Sequence, residues 1–220
     1  MQGITETTGM VLKAEPMNDY DRRVVLLTKE RGKISAFARG ARKQNSKLLA
    51  ATNPFCFGAF KLYEGRTSYN VMEAEITNYF EGLRNDYEGA FYGMYFLEVM
   101  DYYTRENNDE KEMLKLLYQS LRALMHEGLS NVLVRYIFEM KAMALNGEFP
   151  GMPKEGEWED STRYAVNYIA ESTVEKLYTF TVTPQVLAQL KTIADDYRRR
   201  MIDRPFKSLE IVENILYDDL

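Results

Sequence analysis

The sequence predicts an α+β protein, with a small five-stranded β-barrel over residues 1–80 followed by an all-helical domain over residues 81–220. Three observations predict it. The first 80 residues are short runs of β-branched and aromatic residues separated by turn chemistry. From about residue 83 the apolar residues recur at helical spacing instead. The charge changes at the same place: residues 1–80 hold 12 Lys/Arg against 8 Asp/Glu, and the remainder holds 16 against 25.

The strands come in order. "MVLKAEP" (10–16), "RRVVLLTKE" (22–30), "KISAFAR" (33–39), "PFCFGAFKLYE" (54–64) and "TSYNVMEAEI" (67–76) each have strand length and composition. Alternation in the third puts Ile34, Ala36 and Ala38 on one side and Ser35, Phe37 and Arg39 on the other. "ERGK" (30–33) and "EGRT" (64–67) supply glycine for tight turns, and "MNDYD" (17–21) is a polar loop. "GARKQNSKLLAATNP" lies between the third and fourth strands and has helix-forming residues. Five strands with an insert after the third match an OB-type barrel.

The helices follow. Phe91, Met94, Tyr95, Val99 and Tyr102 keep one face, and a second amphipathic run ends at Gly128. "SNVLVRYIFEMKAMALNG" opens on Ser130 as N-cap and closes on Gly147. "EFPGMPKEGEWED" is loop chemistry. "STRYAVNYIAESTVEKLYTF" reads as one helix. Thr183 before Pro184 is a cap with proline at the first helical position, and "SLEIVENILYD" completes about six helices.

The chain is acidic overall, at −5, yet Arg22 to Lys47 contains nine basic residues against Glu30 alone. Such a cluster points to a polyanion partner, or else to a solvated basic face with none. Tyr20, Phe37, Tyr63 and Tyr69 lie in or beside these strands. Rings interleaved with Arg and Lys are what a single-strand groove uses, bases stacking while cations follow phosphates.

Catalytic chemistry lacks material. His126 is the only histidine and Cys56 the only cysteine, so a nucleophilic triad, a disulfide or a cysteine zinc cluster has no donors to draw on. His126 reads as a helix-end residue and Cys56 as a small buried side chain between Phe55 and Phe57. No GxxxxGK[ST] or GxGxxG phosphate cradle is present, and the acidic runs read as solvated helix faces. The expectation is a non-enzyme with no cofactor. No run approaches the length of a membrane span and no signal peptide is evident, so the expected compartment is the cytoplasm.

The stretch from "GMVLKAEP" through "DRRVVLLTKERGK", "ARGARKQNSK" and "NPFCFGAFKLYEGR" resembles the N-terminal domain of the RecO family of bacterial recombination mediators. The resemblance continues in "FEMKAMALNGEFP" (138–150) and "YRRRMIDRPFKSLEIVENI". One departure is plain. Many members of that family carry a four-cysteine zinc site after the turn at 147–150, whereas Glu148 to Asp160 has no cysteine here. The resemblance therefore implies a metal-free subtype, its loop held by packing of Phe149 and Trp158.

The resemblance also implies a function without covalent chemistry. It implies binding of single- and double-stranded DNA, strand annealing, and, with RecR, loading of RecA onto DNA coated by single-stranded-DNA-binding protein. The expected DNA contacts are Arg39, Arg42, Lys43 and Lys47, then Lys33, Arg31 and Arg23. The helical half would receive the acidic tail of single-stranded-DNA-binding protein, with Arg135, Lys141 and Arg122 as candidate cations. The alternative class is an OB-helical scaffold for RNA or an acidic protein partner.

Overall fold

The computed structural model describes residues 3–215. Its strands are β1 (Gly3–Met17), β2 (Asp21–Thr28), β3 (Gly32–Ala38), β4 (Phe57–Glu64) and β5 (Tyr69–Asn78). They close in the order β1-β2-β3-β5-β4, with β4 returning to β1. Every pairing is antiparallel except β3 with β5. This is the OB arrangement that the strand pattern predicted.

β1 is longer than expected because it serves two neighbours. Its polar start, Gly3–Met10, pairs with β4, and Gly9–Met17 pairs with β2. The register shifts between Val11 and Lys13, the kind of irregularity that bends a strand around a closing barrel. Gly9 sits opposite Gly58 where the strands come closest. A Cβ on Gly58 would meet the Glu75 carbonyl oxygen at 2.1 Å, and one on Gly9 would meet that of Leu27 at 2.6 Å. Inside, Val11, Val24, Leu26, Ile34, Ala36, Phe60, Leu62 and Val71 fill the barrel, with Cys56 buried beside them.

The helices are α1 (Leu48–Ala51), α2 (Glu81–Asn85), α3 (Tyr87–Tyr103), α4 (Lys111–Leu124), α5 (Asn131–Leu145), α6 (Asp160–Glu171), α7 (Pro184–Met201) and α8 (Lys207–Ile215). α5 is buried from Leu133 to Met143, and α6 and α7 pack on it. Its cap is as read from sequence: the Ser130 hydroxyl accepts from Leu133 N–H. Thr183 caps α7 in the same way, with Pro184 following.

The segment expected as one helix over 161–180 is broken. α6 stops at Glu171, and a single 3-10 turn, Val174–Lys176, follows. The cause is Lys141, whose buried ammonium donates to the Ala170 oxygen at 2.9 Å and the Ser172 oxygen at 2.6 Å. A cation on the last carbonyls satisfies the groups that another helical turn would have used.

The 148–160 loop is held without cysteine. Tyr197 donates to the Gly151 oxygen at 2.7 Å, and Phe149 packs edge-on against the Tyr197 ring. Trp158 donates to the Glu155 oxygen at 2.8 Å and lies over Gly156, whose φ of +101° a side chain would strain.

The described residues form two compact units. One comprises those up to Glu81 together with Leu97–Leu114, and the other Gly82–Phe96 together with those from Lys115 on. No described helix is long and apolar enough to cross a membrane.

Candidate nucleic-acid interface

The outer face of β1, β2 and β3 follows from alternation. On β3, Ile34, Ala36 and Ala38 turn inward while Lys33, Ser35 and Phe37 remain partly exposed. Register sets Arg23 of β2 opposite Phe37 and Glu15 of β1 opposite Arg23. The exposed Arg23 guanidinium donates to the Ser35 hydroxyl at 2.9 Å.

At the end of this face two turns are clipped together. Gly40, at φ +66°, turns the chain out of β3 and gives its N–H to the Asp21 carboxylate at 2.7 Å. Arg42 N–H donates to the Tyr20 carbonyl at 2.9 Å, and the Arg42 guanidinium donates to the Asn18 carbonyl at 3.1 Å. The Lys43 ammonium stands 5.5 Å from the centre of the Tyr20 ring. Ala41 and Leu48 are buried in the barrel core and pin the loop, leaving Arg39, Arg42, Lys43 and Lys47 exposed. Tyr20 is 56% exposed beside them. None of the four cations has an ion pair among the described residues, so their charge is available to an anion.

Three other basic residues of the cluster, Arg22, Arg31 and Lys33, are already engaged. Arg22 donates to the Leu49 oxygen, the Thr52 hydroxyl and the Asn53 side chain, at 2.9 to 3.0 Å, so it anchors α1 and the turn after it. Burial first, and then the nearby Arg42 charge, lower its pKa. Lys33 is matched by Asp101 at 2.9 Å and by the Asp101 carbonyl, and Arg31 by Glu64 at 3.1 Å. Lys47, with no ion pair among the described residues, lines a groove with Glu6, Lys61, Glu73 and Glu75. Of seven expected contacts, Arg39, Arg42 and Lys43 form one edge, with Arg23 on the adjoining sheet face. Sequence reasoning passed over Asn18 and Asp21, read only as polar loop, although they hold that edge in shape.

Of the four aromatic candidates, Tyr20, Phe37 and Tyr63 reach the surface, whereas Tyr69 is buried. Tyr63 lies on β4 opposite Ile4, away from the clipped turns.

The three cations expected to rim a partner pocket do not share a site. Arg135 is fully buried. It donates to Glu139 at 2.8 Å, Glu213 at 3.0 Å and Asp195 at 3.3 Å. Burial, the largest single influence, opposes its charge, but Glu139 through charge and hydrogen bond, together with Tyr95 and Tyr136, raises its pKa overall. A buried guanidinium matched by three carboxylates has no face to offer an acidic peptide, so the expectation for Arg135 is corrected. Lys141 is likewise buried, as the cap of α6. Arg122, on α4, is exposed.

His126 accepts from Gly128 N–H through Nδ1 at 3.1 Å, closing the turn after α4. Among the described residues, no three His, Cys, Asp or Glu side chains are grouped as metal ligands.

Comparison with known proteins agrees with this architecture. Residues 1–80 match the family described as Recombination protein O N terminal, and residues 84–154 match Recombination protein O C terminal. The chain is 25% identical to the DNA repair protein RecO of Acetivibrio thermocellus, covering 96% of both chains. It is 27% identical to that of Alkaliphilus metalliredigens, over 96% of this chain and all of the relative. With that of Clostridium novyi it shares 32% identity over 66% of this chain and 56% of the relative.

Proposed function

We propose that this chain, which belongs to the RecO family of DNA repair and recombination proteins, is a mediator that holds DNA on its barrel and protein partners on its helices. It binds single- and double-stranded DNA without sequence readout and promotes annealing. With RecR it assists RecA onto DNA coated by single-stranded-DNA-binding protein, acting in the cytoplasm at the nucleoid. No covalent step is involved.

The observation that carries the reading is the clipped edge of Arg39, Arg42 and Lys43 beside exposed Tyr20, with no ion pair to those charges among the described residues. Cations held at fixed spacing meet phosphates, which gives affinity without specificity. Arg23 and Phe37 extend the same path along the sheet. The test is binding to single strands, duplexes and RNA of unrelated sequence across a range of salt. The expected result is steeply salt-dependent DNA binding with no sequence preference. Binding to RNA alone, or to neither, overturns it.

For the helical unit we propose the tail of single-stranded-DNA-binding protein as ligand. In support, a groove of about 480 Å³ is lined by Tyr164, Tyr168, Phe180, Val182 and Val186, an apolar surface of aromatic size. Arg122→Glu, on the same acidic unit, tests whether an exposed cation assists. A loss of tail-peptide affinity with DNA affinity unchanged is expected.

A further inference from the structure

On the barrel unit, the outer face of β3 leads away from the clipped turns into a cleft of about 390 Å³. Arg31, Ser35, Arg66, Ser68, Tyr69 and Glu106 line it. Its walls are built, not incidental. The β4–β5 turn closes through Gly65 N–H to the Ser68 oxygen at 2.9 Å. The segment at 105–107 pairs with the β2–β3 turn through Asn107 N–H to the Arg31 oxygen at 2.9 Å and a Gly32–Glu106 bridge. Ser35, in the cleft wall, also accepts from Arg23, so cleft and sheet face are continuous.

The lining chemistry selects the ligand. Arg31 and Arg66 only donate, Glu64 and Glu106 only accept, and the hydroxyls of Ser35 and Ser68 do both. A phosphate offers acceptors alone and would be repelled by the two carboxylates. A nucleobase edge offers donors and acceptors together. In a duplex the Watson–Crick edge is occupied, so only an unpaired base can present it. Arg31 is fixed by Glu64 at 3.1 Å, whereas exposed Arg66 has no ion pair among the described residues and can close on a ligand. Burial, then the Glu64 and Glu106 charges, raise the Tyr69 pKa.

We propose that this cleft receives one unpaired base of a strand laid along β3, and so distinguishes single strands from duplex. The inference rests on the DNA reading of the barrel and deepens it.

The test uses the full chain with a short oligonucleotide, free and annealed to its complement, and a copy carrying one 2-aminopurine. Arg66→Ala, Glu106→Gln and the cleft-filling Ser68→Trp are compared with the unaltered chain, with circular dichroism as the folding control. Single-strand affinity should fall about tenfold, the scale of one base contact, while duplex affinity changes less than about twofold. The 2-aminopurine emission should rise on binding the unaltered chain and lose that rise with Ser68→Trp. Equal losses on both substrates, or no loss with Arg66→Ala, overturn the pocket and leave the barrel reading standing. An unaltered chain that binds neither substrate overturns both.

Discussion

Arg135 and Glu139, one turn apart on α5, hold each other at 2.8 Å with their side chains at 0% and 1% exposure. Around them Tyr95 donates to the same Glu139 oxygen at 2.7 Å, and Arg198 joins through Asp195 at 3.3 Å and Glu213 at 3.5 Å. The cluster therefore ties α5 to α7 and α8 in the middle of the helical unit. Its geometry is incomplete: Arg135 Nη1 and Glu139 Oε2 are buried with no hydrogen-bond partner among the described residues. A buried pair of this kind contributes little over an apolar pair but is costly to break from one side.

Arg135→Met should accordingly lower unfolding free energy by about 3–5 kcal/mol, since it strands the Glu139 charge. The double variant Arg135→Met, Glu139→Met should regain most of that loss. Urea denaturation followed by circular dichroism reads both. A single variant as stable as the parent would mean that Glu139 takes up a proton or another partner at no cost.

Changing Arg39, Arg42 and Lys43 together to Ala should weaken binding to all DNA sequences alike. If they hold roughly three phosphates, the log-log salt slope should shrink by roughly 2 to 3. The fold should be unaltered, because Ala41 and Leu48 stay buried in the barrel core and the one side-chain bond lost, Arg42 to the Asn18 carbonyl, is exposed. Lys33→Ala is the contrast: it should cost stability more than slope, since it removes the Lys33–Asp101 ion pair and the bond to the Asp101 carbonyl. An unchanged slope in the triple variant would move the DNA path elsewhere.

Glu175 offers a pH test. The Lys115 ammonium at 2.9 Å, then the Glu175 backbone and the Thr173 hydroxyl, lower its pKa from 4.5 to about 2. A depressed folded-state pKa stabilises above 4.5, and that contribution is lost as pH falls from there through about 2. Lys115→Met should return the carboxyl toward its ordinary value, read by carbon-detected NMR titration. A titration that stays near 2 in that variant would assign the shift to the backbone and Thr173 alone.

Elemental analysis should find no stoichiometric zinc, because one cysteine and one histidine cannot supply a four-ligand tetrahedral site. Chelation should leave the thermal midpoint unchanged, since Tyr197, Phe149 and Trp158 hold the 148–160 loop. One zinc per chain, or a midpoint lowered by chelator, would count against this.

The fold was legible where local chemistry decides it. Alternation in β3, the Ser130 and Thr183 caps and the turn glycines are all local, and the structure has them where the sequence put them. What was not legible is decided by partners far along the chain. Lys33 and Arg39 look alike in sequence, yet Asp101, 68 positions away, engages Lys33, while among the described residues Arg39 has no ion pair. Arg22 and Arg135 look like surface cations until Thr52 and Glu213 are brought to them. Lys141 breaks a helix 29 residues away by taking its last carbonyls, which no window of propensity reports. In the short loop, whose residues see few neighbours, the cations are exposed as their charge implied.

The clip between the two turns has a kinetic and thermal consequence. Asp21 to Gly40 and Tyr20 to Arg42 set the basic edge in its shape before any ligand arrives. Ordering a loop on contact costs conformational entropy and slows capture, and this edge has been spared both. Association should therefore approach the electrostatically steered limit at low salt, with a small heat-capacity change. Asp21→Ala, which leaves every cation in place, should slow association more than it speeds release.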